Sequence, residues 1–141
     1  MSIHQTRPVT ASIVTILTDA GLLVGAGQQP TGAGGDCTDG SFRPWAVIHP
    51  MRGGDLDGSL GLGQEDAEAL YQITCVGATQ EQAEWVADTA RIALLAATPT
   101  APGRAVVLVV IDELGGSTRD DDAQPPLWFI ADRYRLLTTP A

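Results

Sequence analysis

The sequence predicts an α+β domain in which two helices pack on one four-stranded, mostly antiparallel sheet, in the order α-β-β-α-β-β. Apolar residues recur at helical spacing in two segments and at strand spacing in four others. The last two strand segments are joined by a polar connection, which is typical of an antiparallel hairpin. A chain of 141 residues is large enough for one core, so we expect a single domain over 1-141.

The composition is that of a folded, acidic protein rich in turns. Apolar residues make up 44%, whereas 16 glycines and 9 prolines indicate much loop structure. The net charge is -9 and all 8 basic residues are arginines, which argues against a protein that grips nucleic acid. The apolar run at 105–111 is far shorter than the roughly 20 residues that cross a bilayer, so we expect no membrane partner. Both cysteines are interpreted as free thiols of a protein made in a cytosol.

The first helix is predicted over residues 10–20, after a flexible arm at 1-9. Ile13, Ile16 and Leu17 fall on one helical face, and Gly21 is a typical helix stop. Three long Gly-rich or acidic loops are expected at 25-40, 51-66 and 115-126.

Two strands are predicted next. The first, Trp45 to His49, lies between prolines, which favours an edge or end position. The second, Ala67 to Gly77, has a clear alternation in which Tyr71 points to the same face as its second neighbours along the strand.

The second helix has the clearest start signal in the chain. Thr79 followed by Gln82 forms a capping box, and the helix should run to about Ala97. Small residues form one apolar stripe. Trp85 and Ile92 lie on a different side, which either contacts another subunit or belongs to a wide core-facing surface.

The remaining two strands are predicted at 105–112 and 127–137. The first is a nearly continuous run of β-branched residues and Leu, as expected for a strand covered on both faces. In the second, one alternating set contains both apolar residues and a carboxylate: Trp128, Ile130, Asp132, Tyr134 and Leu136.

No segment of the sequence matches a complete motif for catalysis, cofactor binding or metal binding. The segment 25–30 has two glycines of a dinucleotide fingerprint but a proline in place of the third. Asp55, Asp57, Ser59 and Asp66 imitate part of a calcium loop, yet its sixth position is Leu60 where the turn needs glycine. His49 ends a strand without a catalytic partner at an informative spacing, which favours a structural or interface role. We therefore expect no enzyme, no cofactor and no metal.

Part of the chain resembles the tail terminator proteins of siphophages, especially those that infect actinobacteria. The residues that carry the likeness are Pro44-Trp45-Ala46-Val47-Ile48-His49, the Gly/Asp loop, Ala69-Leu70-Tyr71-Gln72-Ile73-Thr74-Cys75-Val76-Gly77 and Thr79-Gln80-Glu81-Gln82-Ala83-Glu84-Trp85-Val86-Ala87-Asp88-Thr89-Ala90-Arg91. The resemblance covers about 40 to 137. The insert at 25-40 and the acidic run at 120–122 depart from the pattern.

This resemblance implies a structural subunit of the virion, at the junction of tail and neck. Such subunits assemble, usually as a hexameric ring, on the last ring of the tail tube, stop tube polymerisation and bind a head-completion protein. Genomic DNA passes through the ring, and acidic walls would let it slide without specific binding. The subunit interface is expected at Trp85, Ile92, Trp45 and His49. The loops that dock on the tube or the neck are expected to use Arg52, Asp55, Asp57, Asp120, Asp121 and Asp122.

Two alternatives stay open from the sequence. One is another neck or tail-completion subunit of the same particle. The other is a ferredoxin-like domain that binds a small molecule and regulates, since two helices on a four-stranded sheet host many functions.

Overall fold

A computed structural model describes residues 6–36, 40–55, 67–123 and 125–140. Along the chain its elements are helix α1 (Thr6–Asp19), strands β1 (Leu23–Ala26), β2 (Trp45–Asp55) and β3 (Ala67–Gly77), helix α2 (Gln80–Ala96), and strands β4 (Arg104–Glu113), β5 (Thr118–Asp120) and β6 (Leu127–Pro140).

The six strands form one mixed sheet. Its spatial order is β1-β2-β3-β6-β4, and β5 pairs with β6 beyond the end of β4. The β1–β2 pair is parallel and the other pairs are antiparallel. The expected four-stranded sheet with the order α-β-β-α-β-β is therefore wrong. This also removes the four-stranded sheet on which the ferredoxin-like alternative depended.

The two strands that the sequence did not predict are the shortest. β1 has 4 residues and β5 has 3, too few for an alternation of apolar and polar residues to stand out. β5 is exposed throughout, so no apolar residue signals it. β1 overlaps the loop predicted at 25-40, and β5 lies inside the loop predicted at 115-126. β2 likewise continues to Asp55, into the loop predicted at 51-66.

The helices follow the predicted pattern with one shifted boundary. α1 begins at Thr6, four residues before the predicted start, and Val9 is fully buried, so residues 6–9 belong to the helix rather than to an arm. In α2 the Thr79 hydroxyl accepts a hydrogen bond from the Gln82 amide, which confirms the predicted N-cap. The Gln82 side chain accepts from the amide of Ala78, one residue before the cap.

Both helices cover the same face of the sheet, and the main core lies between them. The buried residues of α1 (Val9, Ile13, Leu17) and α2 (Ala83, Val86, Ala87, Ala90, Leu94) meet Tyr71, Ile73 and Cys75 of β3 and Ile130, Tyr134 and Leu136 of β6. Small residues on α2 let this helix approach the sheet closely. Gly77 shows how closely, because a Cβ there would lie 2.6 Å from the Cβ of Gln82.

A second, smaller cluster lies on the opposite face of the sheet. Phe42, Trp45 and Val47 are buried there, and the rings of Phe42 and Trp45 have centroids 5.7 Å apart. Ala33 packs on this cluster, and the backbones of Gly34 and Arg43 exchange hydrogen bonds of 2.9 and 2.8 Å. The described part of the 25-40 segment therefore covers a small core and is not simply an exposed loop.

Candidate subunit interface along helix α2 and strand β4

Strand β4 forms one edge of the sheet, and its apolar side chains are only partly covered. It pairs with β6 on one side, and none of its described apolar residues is buried. Val107 is 61% exposed. The prediction that this strand is covered on both faces is therefore wrong. A long apolar edge strand normally pairs with or packs against something else.

Helix α2 carries three of the five large hydrophobic side chains that are exposed among the described residues. Ile92 is 68% exposed and Trp85 is half exposed, so neither side chain belongs to the core, and the alternative of a wide core-facing surface is wrong. Among the described residues, every large hydrophobic side chain that is exposed lies on α2, on β4 or directly after β4. We call these residues the apolar edge: Trp85, Ile92, Leu95, Val107 and Leu114.

Two residues of the apolar edge, Leu95 and Val107, lie together at a groove between helix and strand. Leu94 and Leu95 of α2 and Val106, Val107 and Val109 of β4 line one shallow groove of about 210 Å³. Thr98 also lines the groove, so its surface is partly polar. Burying this surface against a partner would be favourable at about 25 cal/mol per Å² of apolar area.

A second cavity, of about 180 Å³, lies between α2 and the β4–β5 connection. Glu84, Asp88 and Arg91 line it from the helix, Leu114, Gly115 and Ser117 from the connection, and Ile130 and Asp132 from β6. Asp132 is only 3% exposed. Burial raises the pKa of its carboxyl, while the Gly115 amide and the Arg91 guanidinium act against that rise and Asp88 adds to it.

The position of Gly115 explains how Asp132 is held. The Gly115 amide donates a 2.9 Å hydrogen bond to Oδ1 of Asp132. A Cβ on Gly115 would lie 2.2 Å from the carbonyl oxygen of Ala131, so only glycine allows the connection to lie this close to β6. Asp88 forms an ion pair with Arg91 at the mouth of the cavity.

Two further polar groups are buried near Asp132, and neither is arranged for chemistry. The Tyr134 hydroxyl has no hydrogen-bond partner among the described residues. Burial raises the pKa of both Tyr134 and the Cys75 thiol, and the charge of Asp132 adds to both shifts. A thiol that stays protonated is a poor nucleophile and a poor metal ligand, so Cys75 acts as a small apolar core residue.

The other two residues expected at a subunit interface have different positions. Trp45 is 6% exposed and belongs to the smaller cluster of its own chain, because the 25-40 segment covers it. It therefore offers little surface to a neighbour. His49 is half-buried in β2, where it pairs with Gln72 of β3.

The residues expected in docking loops are described only in part. Asp57 lies outside the described residues, and only the backbone of Arg52 and Asp55 is described, as part of β2. Asp120 ends β5, and Asp121 and Asp122 follow it; all three are exposed. The Asp121 carboxylate lies 2.7 Å from Nε of Arg119, and the Asp122 amide donates to Asp120.

Two other features are absent from the described ranges. No group of three or more His, Cys, Asp or Glu side chains there could hold a metal ion. In the same ranges, no helix is both long and apolar enough to span a membrane.

Sequence reasoning identified Trp85 and Ile92 but missed the rest of this surface. Val107 looks like a core residue in the sequence, because a run of aliphatic residues does not reveal which strand lies at an edge. Asp132 does have a sequence signal, because it is the one carboxylate in an alternating apolar set. Neither a protein-family model nor a curated protein sequence matches the chain.

Proposed function

We propose that this chain is a structural assembly subunit that forms a ring and caps the tail tube of a siphophage. The observation that supports this proposal is the apolar edge, on which all five exposed large hydrophobic side chains of the described residues lie. An apolar strand at the edge of a sheet that carries exposed large hydrophobic side chains, as β4 does with Val107, is a surface that another chain can cover.

The proposed assembly extends the resemblance noted in the sequence. The ring, usually hexameric in such proteins, would stop polymerisation of the major tail tube protein and present its other end to a head-completion protein. Its place would be the junction of tail and neck in the virion. Genomic DNA would pass through the lumen without specific binding, which a net charge of -9 favours.

The first test is the mass of the purified protein in solution, by light scattering or native mass spectrometry, followed by negative-stain imaging. Closed rings are the expected result. If the protein is monomeric, adding tail tube protein should produce capped tubes. A monomer that also leaves the tubes uncapped contradicts the proposal. Rings that bind a head-completion protein but not the tube would favour another neck subunit.

Variants of the apolar edge locate the interface. Ile92→Asp and Trp85→Ala should weaken association by at least about tenfold, since each removes buried apolar area from the contact. Thr15→Asp is the matched control because it places the same charge on an exposed position of α1. Thermal unfolding of each dissociated variant separates a lost contact from a lost fold. Unfolded Trp85→Ala protein, or unchanged association in both variants, would contradict this assignment.

A further inference from the structure

We propose that a β-bulge at Val107 presents this side chain to a second copy of the chain, which covers the groove between α2 and β4 by packing side chains there and not by adding a strand to β4. The proposed contact rests on the proposed ring, because the second copy is the next subunit. It goes beyond the ring in naming the backbone feature that positions a contact residue, and the kind of contact that this residue makes.

Strand β4 has an extra residue at two points of its pairing with β6. Val106 and Leu108 pair with consecutive residues of β6, so Val107 between them is the first extra residue. Asp112 is the second, because its two neighbours in β4 likewise pair with consecutive residues of β6. A bulge of this kind interrupts the ladder of hydrogen bonds and changes the direction of the side chains around it.

The bulge at Asp112 shows what such a feature does within one chain. Consecutive residues of a regular strand point to opposite faces of the sheet. Asp112 nevertheless forms an ion pair with Arg135. The next residue, Glu113, forms one with Arg133, with 3.5 Å between the carboxylate and Nη1. The two arginines are second neighbours along β6 and so share a face. The bulge therefore brings two consecutive carboxylates to one face, and each has a partner in its own chain.

The bulge at Val107 also brings consecutive residues together, but the extra residue is not covered by its own chain. Val106 and Val107 both line the groove between α2 and β4. Val106 is half-buried, whereas Val107 is 61% exposed. The bulge interrupts the ladder, and little burial of Val107 within the chain offsets that cost. Burial of Val107 against another chain would offset it.

Neither edge of the sheet offers a long regular strand with which another chain could pair. The two bulges leave β4 with regular runs no longer than 108–111. β1, at the opposite edge, has only 4 residues. Short edge strands and bulges are features by which proteins prevent a further strand from adding to a sheet. A partner therefore reaches β4 through side chains.

The chemistry of the groove favours a second copy as that partner. The residues that line it are aliphatic apart from Thr98, and none of them is charged. The chain carries 17 acidic residues and a net charge of -9, so two copies repel each other wherever their carboxylates come together. An uncharged groove is a place where two such chains can meet without that cost. A basic partner would instead gain most on the acidic surfaces of the chain.

The contact residue is tested by two substitutions that keep the length of β4. Val107→Asp should weaken association by at least about tenfold, because it places a charge in an apolar contact. Val107→Thr keeps the β-branched shape and should weaken association by a smaller factor. Asp112→Asn changes the extra residue of the other bulge and is the matched control, which should not weaken association. Light scattering over a dilution series measures all three, and unchanged association in Val107→Asp would overturn the inference.

Deletion of Val107 tests the bulge itself. The other residues of β4 keep their partners in β6, so circular dichroism should still show a folded chain, while rings should be lost. Rings formed by the deletion variant would overturn the role of the bulge. If that variant does not fold, the two substitutions at Val107 decide the question.

Hydrogen exchange at single-residue resolution tests the kind of contact. Assembly of the wild-type protein should slow the exchange of amides next to Val107 and leave the rest of the free edge of β4 unchanged. A new strand on β4 would instead protect every second amide along the whole strand, because each would donate to the added backbone. That pattern would overturn a contact made by side chains.

The outcomes separate the role of Val107 from the proposed function. Rings that form equally well in the wild type and in Val107→Asp would overturn the contact at Val107 while leaving the ring intact. If the wild-type protein forms rings only on the tail tube, the same variants are compared by the fraction of tubes that they cap. A wild-type protein that neither forms rings nor caps tubes would contradict the proposed function, and the contact between copies with it.

Discussion

Strands β3 and β4 have similar shares of apolar residues but opposite environments. β3 lies in the interior of the sheet, paired on both sides, and its side chains alternate regularly between buried and half-buried. β4 is almost continuously apolar, yet it pairs on one side only and none of its described apolar residues is buried. An uninterrupted apolar run therefore indicates that a strand needs cover, and it does not say whether the same chain provides that cover.

The largest effect that separates the two strands is the cost of truncating an apolar side chain. Ile73→Ala in β3 should lower the free energy of unfolding by about 2–5 kcal/mol, because Ile73 is fully buried. Val107→Ala in β4 should change it by less than about 0.5 kcal/mol, because that side chain is largely exposed. Urea unfolding of dissociated protein measures both. Equal losses in the two variants would mean that β4 is covered within its own chain.

A smaller effect concerns the pH dependence of stability at Asp132. Its pKa is raised in the folded chain, so the native state holds a proton at pH values where the unfolded chain has lost it. The contribution of this group to stability should then fall as pH rises from the ordinary aspartate pKa towards the raised value. The free energy of unfolding of the wild type minus that of Asp132→Asn should decrease over this range.

The control for that measurement is Asp122→Asn, which removes one negative charge at an exposed position. It reports the general effect of lowering the net charge of an acidic chain. A wild-type minus Asp132→Asn difference that rises with pH would contradict the raised pKa.

The smallest effect on the free energy of unfolding is expected for the acidic run at the end of β5. Replacing Asp120, Asp121 and Asp122 together by Ser should change the free energy of unfolding by no more than about 0.5 kcal/mol, because all three are exposed and their ion pair with Arg119 is a surface pair. Circular dichroism and thermal unfolding check this. Loss of folded protein would show that the acidic run stabilises the connection around Gly115.

The elements that sequence reasoning predicted well are those whose signals are local. Thr79 and Gln82 fix the start of α2 through hydrogen bonds within one turn, and the alternation in β3 covers a complete strand of 11 residues. The antiparallel pairing of β4 with β6 was likewise predicted and is confirmed. Each of these features depends on neighbours in the sequence or on a long pattern.

The elements that it missed depend on contacts far apart in the chain. β1 is a strand because it pairs with β2, Leu23 opposite Trp45, across a long connection. The four residues of β1 are too few to predict that pairing from the sequence. The same holds for the candidate site. The cavity joins α2, the β4–β5 connection and β6, which only the sheet order brings together. Asp132 could have been identified from its place among buried neighbours, but Gly115 as its donor could not.

The place of β6 in the sheet has a consequence for how the protein folds. β6 is the last of the strands in chain order, yet it lies between β3 and β4, pairing with β3 over residues 128–138 and with β4 over residues 133–140. The β2–β3 pair can form as a local hairpin, but β4 can join it only through β6, either after β6 has added to β3 or together with it. Completion of the sheet therefore waits for residues 127–140, and contacts across such sequence distances make folding slow relative to helical proteins of this size. Until then β3 has a free edge of its own, and a nascent chain is exposed to pairing with other chains during that interval.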